Sequence, residues 1–512
     1  MNLKAIFFLA AWIIVSSLSA QNRPTGEVFD AELYNSLPLK AKVSSRNILP
    51  PRANLEKYCP TPGDQTSYMT CAAWSSAYHF RTIIEAKQRG ITDKAEIDKL
   101  VYSPTWVYEI LKSEGDDSCG EGLATARSLI VFKQLGVPSY KSLPFACLTG
   151  DQTSRFSKLD PLMPEAAKAK IRDLQILFLA KEGINPKDKI KAIKKVLAEG
   201  YPVLVSHTLY DSFHSAKDVW RTQPGEATAS DRHGSHAMVI VGYDDEKFGG
   251  AFRYLNSWGP KWGDGGFIWV PYKTTGDLCY GAYQAFPFAR NPAPAPYTAP
   301  APAPEPTHVP TPAPAPAPAP VPMTDVLPAA SMEFVLRDGS QMKVSRVSTR
   351  NLITEDDTAD ERPAYRMTTP YPSGTRFRFY LETENEGYVY AFASDLTSKV
   401  NKIFPYDDQV SPLVGNNSII AFPSDSKVIR MDDNPGTDYL LVLFSRQALD
   451  VERLEKTMAA TKGGLTSKVK AALGNALIDP SMVEYDAGTV SFAAKKGAKG
   501  TVVPVLVEIS HQ

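Results

Sequence analysis

The amino-acid sequence predicts an α+β domain, a proline-rich linker and then a mostly-β, sandwich-like domain. Helix-forming patterns dominate the chain up to Gly200, and strand-like runs begin only after it. This segregation of helices from strands is typical of α+β folds. A second set of strand-like runs follows an Ala-Pro segment, which marks a domain boundary.

The composition is that of an ordinary globular protein. With 512 residues the chain is long enough for two or three domains with sizeable cores. Its formal net charge is +0, and its sequence pI is near 7.0. Nothing in this balance favours a polyanionic partner, so we expect no nucleic-acid binding.

The first twenty residues form a predicted signal peptide. Lys4 precedes an apolar run over residues 5–15, and small residues lead to a cleavage site after Ala20. The run is too short for a transmembrane helix, which needs about 20 residues. We therefore expect an exported bacterial protein, located in the periplasm, on the cell surface or in the medium. Residues 21–54, called the arm below, are interpreted as a short pro-segment or as a segment packed on the domain.

A helix is predicted to begin at Cys71 and to end at Gly90. Its apolar positions lie three or four residues apart, on one face: Ala73, Ala77, Phe80 and Ile84. Glycine accepts the left-handed conformation at a helix C-terminus. A thiol at a helix N-terminus meets unpaired N–H groups and the positive end of the helix dipole, which favours thiolate. Cys71 is therefore a candidate nucleophile, with a buried structural cysteine as the alternative.

Further elements follow in order. Ser103 and Pro104 are a helix cap and first-turn residue, and helices are predicted over residues 123–135 and from Ile190 to Gly200. Strands are predicted over residues 202–206, 237–241, 252–255 and 267–270.

Four landmarks stand in a specific order along the chain. Gln65 lies six residues before Cys71, His236 heads an apolar strand, and Asn256 opens an Asn-Ser-Trp-Gly block. Together they resemble the papain-like cysteine peptidases over residues 55–288. The resemblance implies a helical lobe carrying the cysteine, a β lobe carrying His and Asn, and a cleft between them.

Each landmark has a chemical role under this resemblance. The Cys71 thiolate attacks a peptide carbonyl, and His236 holds the proton and later donates it to the leaving amine. Asn256 orients the imidazole. The resemblance implies that the Gln65 side-chain amide and the Cys71 backbone N–H form the oxyanion hole. Trp258 shields the His–Asn hydrogen bond from water.

Other histidines are weaker candidates for the base. His233 lies in a polar loop pattern, whereas His207 and His214 are expected to be surface or satisfied core groups and His79 to be structural. No pair of residues has convincing metal-ligand spacing, and no Cys-x-x-Cys pair occurs. We expect no catalytic metal and no cofactor.

Export makes disulfides plausible for the other four cysteines, Cys59, Cys119, Cys147 and Cys279. They allow up to two bridges in three connectivities, and their spacing does not choose among them. In the resembled family Cys119 would pair with a cysteine at the position of Tyr68, so the resemblance implies Cys59 as its replacement partner. Ala72 and Glu121 also depart from the family pattern, and this leaves subsite preference open.

The linker is rich in proline and precedes a region of alternating apolar residues. Residues 292–322 contain 14 prolines in 31 residues and favour an extended polyproline spacer. Beyond it, strands are predicted at 376–381, 387–392, 403–405, 418–422, 439–444 and 502–509, with a turn at 435–438 and a helix near Val451. The region resembles a bacterial envelope domain of unknown function. Acidic residues at 355–357 and 432–433 are interpreted as solvated loops rather than as calcium ligands.

The sequence therefore predicts an exported cysteine endopeptidase acting on protein or peptide substrates. Its predicted parts are residues 1–20 (signal peptide), 21–54 (arm), 55–290 (peptidase domain), 291–322 (linker) and 323–512 (β-rich module). The module is predicted to bind an envelope or surface component, and no transmembrane segment is expected after signal removal. Two alternatives are a papain-fold acyltransferase or transpeptidase and a catalytically inactive papain-fold binding protein.

Overall fold

The computed structural model describes residues 23–181, 183–226, 234–289, 328–347, 364–395 and 399–512. The predicted signal peptide, the whole Ala-Pro linker, His233 and the acidic run at 355–357 lie outside these residues. None of the described helices is both long enough and apolar enough to cross a membrane.

Twelve α-helices are described. In chain order they are α1 (Ala31–Ser36), α2 (Cys71–Ala73), α3 (Thr82–Arg89), α4 (Lys94–Asp98), α5 (Pro104–Leu111), α6 (Thr125–Gln134), α7 (Gln152–Leu159), α8 (Met163–Ala166), α9 (Pro186–Ala198), α10 (Tyr272–Leu278), α11 (Val451–Ala460) and α12 (Leu465–Leu473). A π-helical segment, Trp74–Arg81, joins α2 to α3 without a break.

Twenty strands are described. They are β1 (Arg52–Asn54), β2 (Ile171–Ile176), β3 (Val203–Thr208), β4 (Ser235–Asp244), β5 (Ala251–Leu255), β6 (Phe267–Pro271), β7 (Cys279–Pro287), β8 (Ala329–Leu336), β9 (Val344–Arg346), β10 (Tyr365–Met367), β11 (Arg376–Thr383), β12 (Gly387–Ser394), β13 (Val400–Phe404), β14 (Leu413–Val414), β15 (Ser418–Phe422), β16 (Ile429–Arg430), β17 (Gly436–Ser445), β18 (Val483–Tyr485), β19 (Val490–Ala494) and β20 (Val502–His511).

The helix that begins at Cys71 ends as predicted. Gly90 adopts φ 68° and donates its N–H to the carbonyls of the last turn, a left-handed cap that glycine takes without strain. The predicted apolar face is buried. At α5, Ser103 accepts a hydrogen bond from the Trp106 N–H at 3.2 Å, which confirms the predicted cap. Helix α6 begins two residues later than predicted, because the backbone of Leu123 pairs with the arm instead.

A seven-stranded antiparallel sheet forms the β lobe. Its order is β2-β7-β3-β4-β5-β6, with β1 paired to β4. The four predicted strands are β3 to β6, and each is confirmed. Strands β1, β2 and β7 were not predicted. The α+β class is confirmed, with the helical lobe packed on this sheet through one continuous apolar core.

The C-terminal domain packs two β-sheets face to face, which confirms the sandwich-like prediction. One sheet has the order β13-β12-β17-β20-β10-β9 and the other β15-β11-β8-β19-β18. The predicted turn at 435–438 is wrong, because Gly436 already pairs with His511 at the start of strand β17. Helix α12 was not predicted.

One disulfide is present, between Cys119 and Cys147. The implied pairing of Cys59 with Cys119 is therefore wrong. Cys59 is buried and donates its thiol to the Leu55 carbonyl, 3.6 Å away. Within the described residues Cys279 is also a free, buried thiol, so one bridge forms rather than two.

The two domains are in direct contact although a long linker joins them. An apolar cluster spans the boundary, where Phe286 of β7 packs with Tyr388, Tyr390 and Leu413. The arm lies between them, and Leu39 forms β-bridges to Ile176 on one side and to Val410 on the other.

Glu199 connects all three parts of the chain. Its carboxylate accepts from Lys40 of the arm at 3.1 Å, from Gln284 of β7 at 3.2 Å and from Ser418 of the C-terminal domain at 3.3 Å. Lys195 forms a further ion pair at 3.6 Å. All the charged side chains in this cluster are at least 93% buried.

We expect Glu199→Ala to lower the free energy of unfolding by about 3–5 kcal/mol, because it leaves two buried ammonium groups without their carboxylate. Asp277→Ala is the matched control, since it breaks an exposed i,i+4 ion pair with Lys273 and should cost at most about 1 kcal/mol. Urea unfolding of both variants measures the difference. Equal losses would contradict the role assigned to Glu199.

Candidate active site

Cys71 opens helix α2 and is fully buried. As the first helical residue, it has a backbone N–H without a partner in the preceding turn. The Ala237 backbone faces its sulfur, which brings the thiol next to strand β4. Burial raises the pKa of the Cys71 thiol, and the nearby Glu27 carboxylate raises it further; hydrogen bonds from the Ala237 and Ala72 backbone act in the opposite direction. Burial thus outweighs the helix terminus in this form of the protein.

His236 and Asn256 form a hydrogen-bonded pair within the β lobe. His236 lies near the start of β4, Asn256 directly follows β5, and His236 Nε2 lies 2.8 Å from Asn256 Oδ1. The Ser257 N–H donates to the same oxygen at 2.8 Å, which fixes the orientation of the amide. Because this oxygen only accepts, Nε2 carries the hydrogen and Nδ1 keeps the lone pair that a base needs. Within the described residues, no hydrogen-bond partner reaches Nδ1.

The His236 side chain is fully buried. Burial lowers its pKa to about 3, while the hydrogen bond to Asn256 acts in the opposite direction. Trp258 is fully buried, with its ring centroid 5.0 Å from that of His236. The same ring stacks on His214 at 5.0 Å. Trp258 therefore lies where the sequence analysis expects a shield for the His–Asn bond.

Gln65 is tied to this pair through Ser257. The Ser257 hydroxyl donates to Gln65 Oε1 at 2.6 Å, and the Gln65 N–H donates to the Ser257 carbonyl at 2.9 Å. The Gln65 Nε2 is thereby turned toward the cleft. Sequence reasoning did not assign a role to Ser257, although its position between Asn256 and Trp258 was a usable signal.

The other histidines lie outside this hydrogen-bond chain. His79 accepts from the Gly63 N–H at 3.1 Å, which confirms a structural role. His207 is buried beside His236 on β3, and its Nδ1 lies 2.7 Å from the Thr208 carbonyl. His214 stacks on Trp258 as described above. No residue of the site was predicted to bind a metal.

The arm fills the cleft as an extended peptide. The Gln65 Nε2 donates to the carbonyls of Pro24 and Thr25 at 3.1 and 3.3 Å. The Gly26 carbonyl accepts from the Leu123 N–H at 2.9 Å, and the Glu27 N–H donates to the Ser235 carbonyl at 3.1 Å. Both cleft walls thus bind the arm backbone.

Gly26 permits this close approach. Its φ is +102°, and a Cβ there would lie 2.3 Å from the Met69 carbonyl oxygen. Any other residue at this position would force the arm away from the wall. The arm therefore occupies the space where a peptide would meet the Gln65 amide.

Comparison with known proteins agrees with this architecture. Residues 64–286 match the papain family of cysteine proteases, and residues 370–448 match a domain of unknown function, DUF4384. An uncharacterized peptidase C1-like protein from Acanthamoeba polyphaga mimivirus is 35% identical over 92 residues, which cover 18% of this chain and 29% of that protein. A cathepsin B-like cysteine proteinase 1 from Ostertagia ostertagi is 31% identical over 89 residues, covering 17% and 25%.

Solved structures similar to this chain include xylellain, a cysteine protease from Xylella fastidiosa. It is 21% identical with a TM-score of 0.41, over 52% of this chain and 96% of that chain. The chain spans only about a quarter to a third of the length of the two relatives above. The match to the papain family of cysteine proteases thus covers residues 64–286, which hold the buried cysteine on the helical lobe and the histidine and asparagine on the β lobe, and the match to DUF4384 follows it at residues 370–448.

Proposed function

We propose that the protein is a cysteine endopeptidase that hydrolyses peptide bonds in proteins or peptides. The observation that carries this proposal is the series of hydrogen bonds from Gln65 through Ser257 and Asn256 to His236, whose neighbour Ala237 faces the Cys71 sulfur with its backbone. This series of hydrogen bonds joins an oxyanion donor to an oriented base across the boundary between the two lobes. A binding protein has no need of such an arrangement.

In the proposed mechanism, His236 Nδ1 accepts the thiol proton of Cys71 as the sulfur attacks the peptide carbonyl. Asn256 Oδ1 keeps the imidazole in place through Nε2–H. The negative oxygen of the tetrahedral intermediate accepts from Gln65 Nε2 and from the Cys71 N–H. The imidazolium then protonates the leaving amine, and water hydrolyses the resulting thioester with the imidazole acting as the base.

The arm keeps this site closed in the proposed scheme. Thr25 and Pro24 present carbonyl groups to Gln65, and Glu27 places a carboxyl group near the thiol, which disfavours thiolate. Of the two interpretations of residues 21–54, these contacts support the inhibitory pro-segment. Displacement or cleavage of the arm is then required before a substrate binds.

Two other functions share this geometry. In a transpeptidase, an amine rather than water takes the acyl group from Cys71, and product analysis with added amines separates the two reactions. In a non-enzymatic binding protein, the arm would be a permanent occupant of the cleft. His236 Nδ1 has no hydrogen-bond partner within the described residues, and the backbone of the next residue, Ala237, faces the Cys71 sulfur; both observations favour chemistry over permanent occupancy.

Export and envelope attachment complete the proposal. Two features support export: the disulfide between Cys119 and Cys147 suits an oxidising compartment, and the first twenty residues have the signal-peptide pattern. The C-terminal domain is proposed to bind a component of the envelope or surface. Co-sedimentation of the full chain carrying Cys71→Ala with isolated envelopes tests this role.

We expect the full chain carrying Gly26→Val to be labelled at Cys71 by an epoxide or vinyl-sulfone thiol probe, and to hydrolyse fluorescently quenched casein. The valine Cβ would collide with the Met69 carbonyl, so the arm leaves the cleft. Mass mapping locates the label, and adding Cys71→Ala or His236→Ala should abolish both signals.

Gly497→Val is the matched control for this experiment. Gly497 also has a positive φ, +85°, but nothing lies within 4 Å of its would-be Cβ, so latency should persist. A folded Gly26→Val variant that is neither labelled nor active would overturn the peptidase proposal and favour the binding protein.

In the Gly26→Val background, we expect Gln65→Ala to lower kcat by about 10²–10³-fold with little change in KM, since it removes one oxyanion donor. Gln65→Glu keeps the size of the side chain but replaces the donor with a carboxylate, so it should be at least as damaging. Steady-state kinetics on a single peptide measures both. An unchanged kcat would remove Gln65 from the oxyanion hole.

A further inference from the structure

The Glu27 side chain of the arm enters a pocket that leads off the cleft. It is only 7% exposed, although its backbone lies along the cleft like a bound peptide. Extended peptides that add to a protein backbone derive affinity from main-chain hydrogen bonds and specificity from side-chain pockets. The chemistry of the Glu27 pocket therefore bears on which peptides the cleft accepts.

The carboxyl group of Glu27 is held by neutral donors. The Ser206 hydroxyl donates to Oε1 at 2.7 Å, the Thr125 hydroxyl donates to Oε2, and the Thr125 N–H lies 3.5 Å from Oε1. Thr125 is the first residue of the ten-residue helix α6, whose N-terminal end carries partial positive charge. Each of the described hydrogen bonds to this carboxyl comes from an uncharged group.

The pocket is buried as well as lined by uncharged hydrogen-bond donors. Burial raises the pKa of Glu27 to about 7, and the hydrogen bonds from Ser206 and Thr125 act in the opposite direction. Tyr280 and Tyr283 lie close enough for the Glu27 charge to raise their pKa values, after burial itself. Such a pocket suits a planar group with two polar atoms and no full charge, which is a protonated carboxyl or a carboxamide.

We propose that the pocket holding Glu27 is a substrate subsite selective for glutamine and glutamic acid side chains, with Thr125 and Ser206 as its specificity-determining residues. The proposal rests on the peptidase function and names its substrate class. A leucine side chain would leave the hydroxyls of Thr125 and Ser206 buried without their partner. A lysine would bring a charge that none of the described hydrogen-bonding groups neutralises.

The first test uses the full-chain Gly26→Val variant and fluorogenic peptides. Gln, Glu, Leu and Lys are placed in turn at each position on both sides of the scissile bond. At one position we expect kcat/KM for Gln to exceed that for Leu by about 10-fold, because the cost of an unpaired buried polar group is of that order. Lys should be the poorest residue there.

Variants of the pocket assign the preference to named side chains. Thr125→Val and Ser206→Ala should each lower the Gln-to-Leu ratio by about 10-fold, while the rate on the Leu peptide stays the same or rises. Thr125→Ser keeps the hydroxyl and should retain the ratio. Loss of rate on every peptide alike would mark a structural role and overturn the assignment.

A second test needs no substrate. In the otherwise unchanged chain, Glu27→Gln should keep Cys71 as slow to label as the parent protein, since the amide reproduces the shape of the acid. Glu27→Leu and Glu27→Lys should label at least about 10-fold faster. If Cys71 is labelled as slowly in the Glu27→Leu variant as in the Glu27→Gln variant, the pocket is not selective for glutamine and glutamic acid side chains.

The outcomes separate the two proposals. Labelling of Cys71 and cleavage of peptides with a preference for Leu would overturn the subsite while the peptidase function stands. Absence of both labelling and cleavage in the folded Gly26→Val chain would overturn the peptidase function, and the subsite with it.

Discussion

Two hydrogen bonds between Gln65 and Ser257 hold the seam between the helical and β lobes at the active site. One joins the Ser257 hydroxyl to the Gln65 side chain, and the other joins the Gln65 N–H to the Ser257 carbonyl. Gln65 precedes the cysteine helix, whereas Ser257 follows strand β5. The candidate site therefore depends on the packing of the two lobes, because no single element carries both the proposed oxyanion donor, Gln65, and the proposed base, His236.

The arm and the C-terminal domain are also held by contacts between segments that are distant in sequence. At its start the arm follows the cleft, and farther along it lies between the two domains, where Leu39 bridges β2 and Val410. The buried Glu199 accepts from Lys40 of the arm and from Ser418 of the C-terminal domain. The arm is bound both in the cleft and between the two domains. Its contacts with the C-terminal domain therefore also limit how far the segment in the cleft can move.

Much of the candidate site could be proposed from the sequence because its members carry local signals. Cys71 at a helix start, His236 at a strand head and Asn256 in its aromatic, glycine-rich block can each be recognised from neighbouring residues. The ends of the long helix and of α5 followed from Gly90 and Ser103, whose capping chemistry is local. Glu27 and Ser257 were missed because their importance comes from partners more than a hundred residues away. The partner of Cys119 was assigned wrongly because the assignment followed the pairing in the resembled family, whereas here the bridge goes to Cys147, 28 residues along the chain.

The protonation of the site connects these observations. Burial raises the pKa of Cys71 and lowers that of His236, so both groups favour their neutral forms while the arm is in place. A thiolate and an imidazolium stabilise each other, but here the Glu27 carboxyl stands near the sulfur, and its ionised form raises the pKa of the Cys71 thiol further. In the proposed scheme, removal of the arm takes away this carboxyl group and lets water reach Cys71 and His236, and both changes favour the ion pair. Under this proposal, the peptide that occupies the cleft also opposes formation of the Cys71 thiolate, so steric and electrostatic inhibition would have a common origin in residues 24–27.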